Sequence, residues 1–162
     1  MYYSFIYPYL NYCIEVWGKT YNVYLKSIIT MQKRAVRIIA YANYREHTSQ
    51  LFVNFKILPL NKIYIYALAQ FMYKYNSEIL PEIFDDMFTR AEDVHGYNTR
   101  SKSSIRIVSH RLDLRSRSVR ISGSKIWNFL GNCNIGIGES FNIYKRNLKI
   151  FLIAHDIKNI FG

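Results

Sequence analysis

Apolar positions along most of the chain recur at three- and four-residue steps, the spacing of one face of an α-helix. The clearest case spans 21–42, where Tyr24, Ile28, Met31, Ala35, Ile38 and Ala42 form a stripe that Leu25, Ile29, Val36 and Ile39 widen. Thr20 stands where an N-cap belongs. Two shorter helices are predicted next, over 48–55 and 61–75, separated by the ILPL turn at Pro59. In the second, Tyr64, Ala67, Leu68, Phe71, Met72 and Tyr75 make a core stripe. The apolar run before them reads as a buried, aromatic-rich helix from Pro8 to Trp17, with proline in its first turn and Gly18 as its stop.

The pattern changes after residue 77. Glu78, Glu82, Asp85, Asp86, Glu92 and Asp93 form an acidic patch whose LPEIFDDMF core predicts a short helix or turn and then a linker. From His95 to Asn128 the chain carries eight basic residues, Arg100, Lys102, Arg106, Arg111, Arg115, Arg117, Arg120 and Lys125, against one acid, Asp113. Ile105 and Ile107, then Val119 and Ile121, alternate with polar neighbours, which predicts a small β-hairpin. After the glycine-rich GNCNIGIG, Ser140 is placed to cap a last helix. Its inner face would be Phe141, Tyr144, Leu148, Phe151 and Leu152, with Lys145, Arg146 and Lys149 outside. The expected fold is mainly α, with helices near 20–42 and 61–77 packed together and 5–17 against them.

Composition narrows the function classes. A chain of 162 residues fits one domain or two small ones, and half of its residues are hydrophobic, which excludes an extended disordered chain. Lys and Arg number 22 against 11 Asp and Glu, a net charge of +11 that favours a polyanionic partner. Cys13 and Cys133 are too few for a disulfide framework or a zinc module, so an intracellular (cytoplasmic or nuclear), non-secreted protein is expected. The N-terminus lacks the basic and small-residue regions of a signal peptide. Pro8, Asn11 and Glu15 interrupt the run short of the ~20 apolar residues of a membrane span, so no membrane partner is expected. Met1 leads at once into core-like sequence, which points to truncation from a longer protein or to an N-terminal helix that simply docks.

No catalytic constellation assembles. Phosphoryl transfer needs carboxylates that hold divalent metal. The one adjacent acid pair, Asp85–Asp86, has Ile83 where template-copying polymerases commonly place an aromatic, and Pro81 favours a helix start there. His47, His95, His110 and His155 are dispersed, and none pairs with a cysteine at metal-ligand spacing. Cys13 is expected as a buried small hydrophobe, and Cys133 has no local histidine to activate it. Neither a cofactor nor a small-molecule substrate is expected.

Seven segments, in order, carry a resemblance: YPYLNYCIEVWG (7–18), MQKRAVRII (31–39), YREHT (44–48), AQFMYKYN (69–76), HGYNTRS (95–101), SGSKIWNFL (122–130) and SFNIYKRNLKIFL (140–152). Their order and spacing are similar to the region after the palm domain in reverse transcriptases of LINE-like, non-LTR retrotransposons of the jockey-related kind. The resemblance covers nearly the whole chain. It implies a parent RNA-directed DNA polymerase, whose upstream domains and divalent metal would lie outside this piece. It also implies a thumb-like helical region over 1–80, an acidic linker over 81–98, and a basic hairpin-containing segment with a C-terminal helix over 99–162. No residue here matches the family's catalytic motif, so a non-catalytic fragment of a transposable element is expected.

The expected role is binding of template or primer, RNA or an RNA/DNA hybrid, through phosphate contacts. The candidates are Lys26, Lys33, Arg34 and Arg37 on one helix and Arg100, Lys102, Arg106, Arg111, Arg115, Arg117, Arg120 and Lys125 in the basic segment. No acid lies between Lys19 and Arg45, so the first group is a ridge of cations and not an ion-pair ladder. Tyr97 and Trp127 could stack on bases, although Trp127 suits a core. The alternative is a structural or interaction fragment with no nucleic-acid role, its aromatic N-terminal helix an interface to the missing palm. An exposed apolar patch on 2–17 would distinguish it.

Overall fold

A computed structural model describes residues 1–94, 104–133, 135 and 140–155, and these are mainly α-helical. The aromatic N-terminus is not one helix but three short ones, α1 (Tyr2–Phe5), α2 (Tyr7–Asn11) and α3 (Ile14–Trp17). Pro8 has no N–H to continue the α1 ladder, so the helix ends before it and restarts with Pro8 in the first turn of α2. Tyr12 is then extended and Cys13 sits in the left-handed region at φ 49°, which aims α3 separately. Cys13 is exposed there, not buried as its apolar neighbours imply. Gly18 does close α3, through a 2.7 Å bond from its N–H to the Ile14 carbonyl. A Cβ at Gly18 would lie 2.5 Å from the Tyr64 ring, so close packing fixes the glycine.

Helix α4 runs Asn22–Ile39, preceded by extended Tyr21 with no side-chain cap, so Thr20 is not the N-cap. The expected stripe is in the wrong phase. Leu25, Gln32 and Val36 are buried, whereas Tyr24, Met31 and Ile38 are exposed. Helices α5 (Thr48–Asn54) and α6 (Leu60–Asn76) follow within about two residues of their expected limits. Helices α4, α5 and α6 end alike. Tyr41, Lys56 and Glu78 adopt left-handed φ near +50°, while Ala42, Ile57 and Ile79 donate backbone bonds back to Arg37, Phe52 and Lys74. This is the Schellman closure, built here without glycine.

The chain divides into two compact units, one of Met1–Ala67 with the described residues from Lys149 onward, the other of Leu68–Leu148. The first has a core of Tyr2, Val36, Leu51, Phe52 and Ile57, flanked by Ile6, Tyr7, Leu10 and Ile39. Gln32 is its polar centre. Its Nε2 donates to the Tyr2 hydroxyl at 2.8 Å and the Leu58 carbonyl at 2.9 Å, and its Oε1 accepts from Leu60 N–H at 2.9 Å. One amide thus joins α1, α4 and the start of α6, satisfying a helix N-terminus that would otherwise be orphaned.

The second unit buries Leu68, Ala69 and Met72 of α6 beside two further helices, α8 (Val119–Asn132) and α9 (Phe141–Ala154), whose Tyr144 and Leu148 are fully buried. Tyr144 stacks on Tyr73 with ring centroids 4.6 Å apart, its hydroxyl bonds to the Ala69 carbonyl, and burial raises its pKa well above the usual phenol range. A Cβ at Gly123 would meet the Met72 sulfur at 2.7 Å, so the small Ser122-Gly123-Ser124 run admits α8 to the core. Ser124 Oγ bonds the Arg120 carbonyl at 2.8 Å, which lets a hydroxyl be buried mid-helix.

The expected β-hairpin is absent among the described residues. Val119 and Ile121 lie in α8, and residues 113–116 form a short helix, α7 (Asp113–Ser116). Ile105 makes only one antiparallel bridge, to Arg90. Its other edge is taken by Asn128, whose amide accepts from Ile105 N–H at 2.9 Å and donates to its carbonyl at 2.8 Å. A side chain therefore occupies the place of a second strand. The acidic patch contributes a 3₁₀ helix, Glu82–Met87, preceded by Pro81 and followed by buried Phe88.

Candidate nucleic-acid interface

Helix α4 places Lys26, Lys33 and Arg37 at seven- and four-residue steps, so they project from one side of the helix, with Arg34 beside them. Lys26, Lys33 and Arg34 are exposed and Arg37 is half-buried. The α4 core face explains this arc. Burying Leu25, Gln32 and Val36 leaves Lys26, Lys33 and Arg37 along one flank of the buried strip and Arg34 on the side opposite it. Arg37 is oriented by its Nε, which donates to the Glu46 carbonyl at 2.9 Å, while the Glu46 carboxylate accepts from Asn43 N–H. Neither of the side-chain ion pairs found among the described residues, Arg90–Glu92 and Arg117–Asp113, involves α4. Among the described residues, no side-chain carboxylate pairs with a cation of the ridge.

The second group is less uniform. Arg100, Lys102 and the aromatic Tyr97 lie outside the described residues. Arg106 follows the single bridge, and Arg111 and Arg115 border a shallow open depression with His110 and Leu112. Arg117 is committed to Asp113, bonding one carboxylate oxygen from Nη2 at 2.8 Å and from Nε at 3.0 Å. Arg120 is exposed and Lys125 half-buried on α8; five residues apart, they leave that helix in different directions. The two groups belong to different units, α4 to the first and residues 106–125 to the second.

Trp127 is buried, at 8% exposure, and packs as a core residue. Exposed aromatics stand elsewhere, at Tyr41 and Tyr44 just beyond α4, which are 100% and 72% exposed. Sequence pattern gave no way to single these out among 15 tyrosines. The Lys74 and Lys145 ammonium groups lie 5.4 and 4.8 Å from the centroid of the Phe141 ring.

Asp85 and Asp86 are exposed on the 3₁₀ helix, and no group of three His, Cys, Asp or Glu side chains able to hold a metal occurs among the described residues. Nor is any described helix long and apolar enough to cross a membrane. Comparison with protein-family models, curated proteins and solved structures finds no match. The functional case therefore stands on charge, exposure and geometry.

Proposed function

We propose that this chain is a non-catalytic, nucleic-acid-binding piece of a protein related to non-LTR retrotransposon reverse transcriptases, acting through phosphate contacts. The observation that carries the proposal is the α4 ridge: three exposed cations and one half-buried one on a stretch, 20–44, without a single acid. Phosphate oxygens are the partner such a surface fits, because each contact neutralises charge and releases a condensed counterion. Contacts of this kind hold a strand in register without reading its bases. Tyr41 and Tyr44 stand next to the ridge in sequence and supply aromatic faces for single-stranded bases. The test is the affinity of the protein for a labelled single-stranded RNA across a salt series. About six phosphate contacts give a log–log slope near −4. Affinity indifferent to salt overturns the proposal.

A second function, interaction without nucleic acid, is supported by the N-terminus. Phe5, Tyr9, Tyr12 and Val16 are 69–82% exposed, a density of outward apolar side chains that monomer surfaces rarely carry. Replacing Tyr9 and Tyr12 with serine separates the two functions: RNA affinity is unchanged if the ridge binds, and solubility rises if the aromatics are an uncovered contact surface.

A further inference from the structure

The first unit holds a pocket of about 370 Å³ where α4, α5, the turn into α6 and the end of α9 meet. That volume is at the small end of the range of about 300–1,000 Å³ usual for ligand sites. Phe52, Ile57 and Ile153 give the pocket an apolar lining. Lys33 of the α4 ridge, the hydroxyls of Thr48 and Ser49, and His155 line it as well, and no described carboxylate does. Thr48 is only 6% exposed, and its hydroxyl makes no hydrogen bond among the described residues. A hydroxyl so buried without a partner costs stability that a ligand atom would offset. His155 is held through Nδ1, 3.2 Å from the Phe151 carbonyl, with its ring stacked on Phe151 at 4.4 Å between centroids. A carbonyl only accepts, so Nδ1 carries the proton and Nε2 is left as the second bonding atom of the ring.

We propose that this pocket receives the base and ribose of one nucleotide of the single strand whose phosphates the α4 ridge holds. The inference rests on that reading of the ridge. Lys33 connects the two, because it belongs to the ridge and also lines the pocket. A phosphate engaged by Lys33 sets its own nucleoside at the pocket. Inorganic phosphate would use Lys33 and leave the apolar lining wet. A fatty acid would cover that lining and leave the Thr48 hydroxyl unpaired. A nucleotide serves both: its base offers a flat face to Phe52, and its ribose hydroxyls and base edge offer partners to Thr48, Ser49 and His155 Nε2.

The test measures binding of labelled single-stranded RNA across a salt series by the full chain and two variants. Val53→Trp fills the pocket from a side chain that is 54% exposed, so no core is disturbed. Thr48→Val removes the hydroxyl at nearly the same volume. The first should weaken RNA binding about tenfold and the second about threefold to tenfold, at every salt concentration. Both should keep the parent's log–log slope, since neither removes a phosphate contact. Thr48→Val should also melt no lower than the parent, which a hydroxyl with a purely structural role would not allow. Dialysis against millimolar AMP is expected to show uptake by the parent that Val53→Trp abolishes. Parent affinity indifferent to salt overturns the ridge reading and this inference with it. A salt-dependent parent whose RNA affinity is unchanged in Thr48→Val overturns the pocket alone. So does uptake of oleate in place of AMP, or of inorganic phosphate as tightly as AMP.

Discussion

Helices α4 and α6 are nearly equal in length, 18 and 17 residues, yet they use their apolar residues in opposite ways. Helix α6 is buried on almost every side: Ile63, Tyr64, Ile65, Ala67, Leu68, Ala69 and Met72 are all at or below 4% exposure. Helix α4 buries a narrow strip and turns Val23, Tyr24, Met31 and Ile38 outward beside its cations. A helix apolar all round belongs to a core wherever its stripe is drawn. One with two apolar faces and a basic arc has surface left for a partner. The difference leaves exposed apolar and basic surface on α4 and commits α6 to packing.

The largest break in this contrast is Leu68→Ala. Leu68 is fully buried, so its loss should cost about 4 kcal/mol in denaturant unfolding, against less than about 0.5 kcal/mol for Met31→Ala on the outward stripe. Comparable costs for the two would place the α4 stripe inside a core. Next comes Gln32→Ala, the exception on α4. It strands the Leu58 carbonyl and Leu60 N–H and should cost about 2 kcal/mol, which urea midpoints would measure. Tyr41→Gly runs the other way. Tyr41 is fully exposed in a left-handed conformation, so glycine should stabilise the C-terminus of α4 by about 0.5–1 kcal/mol, seen as a higher melting temperature.

The element order of the helical regions was largely legible, because α6 and α9 follow ordinary helical spacing and most of their expected stripe residues are the buried ones. The phase of α4 was not. Two apolar stripes compete on that helix, and the one that won the core carries Gln32, a residue that pattern reading assigns to solvent. What decides it is the three-way hydrogen bonding of one amide to Tyr2, Leu58 and Leu60, contacts distant in sequence. The hairpin expectation failed for a similar reason. Alternation at Ile105 and Ile107 and at Val119 and Ile121 looks like a strand pair, but Asn128 fills the second edge of Ile105, and Val119 and Ile121 lie in α8. Pro8 marked a helix start, as expected, but the break at Cys13 was hidden inside what read as one helix from Pro8 to Trp17. The α4 cations were legible, since an acid-free basic stretch needs no long-range contact to be recognised, whereas the commitment of Arg117 to Asp113 became clear only from their geometry.

The most direct test of the account is the salt dependence of RNA binding by the full chain and by a K26S/K33S/R34S variant. These three side chains are exposed and support no core, so the variant should melt as the parent does. Removing three phosphate contacts should flatten the log–log slope by about 2 units. An unchanged slope in a normally folded variant would contradict the assignment of the α4 ridge as the phosphate-binding surface.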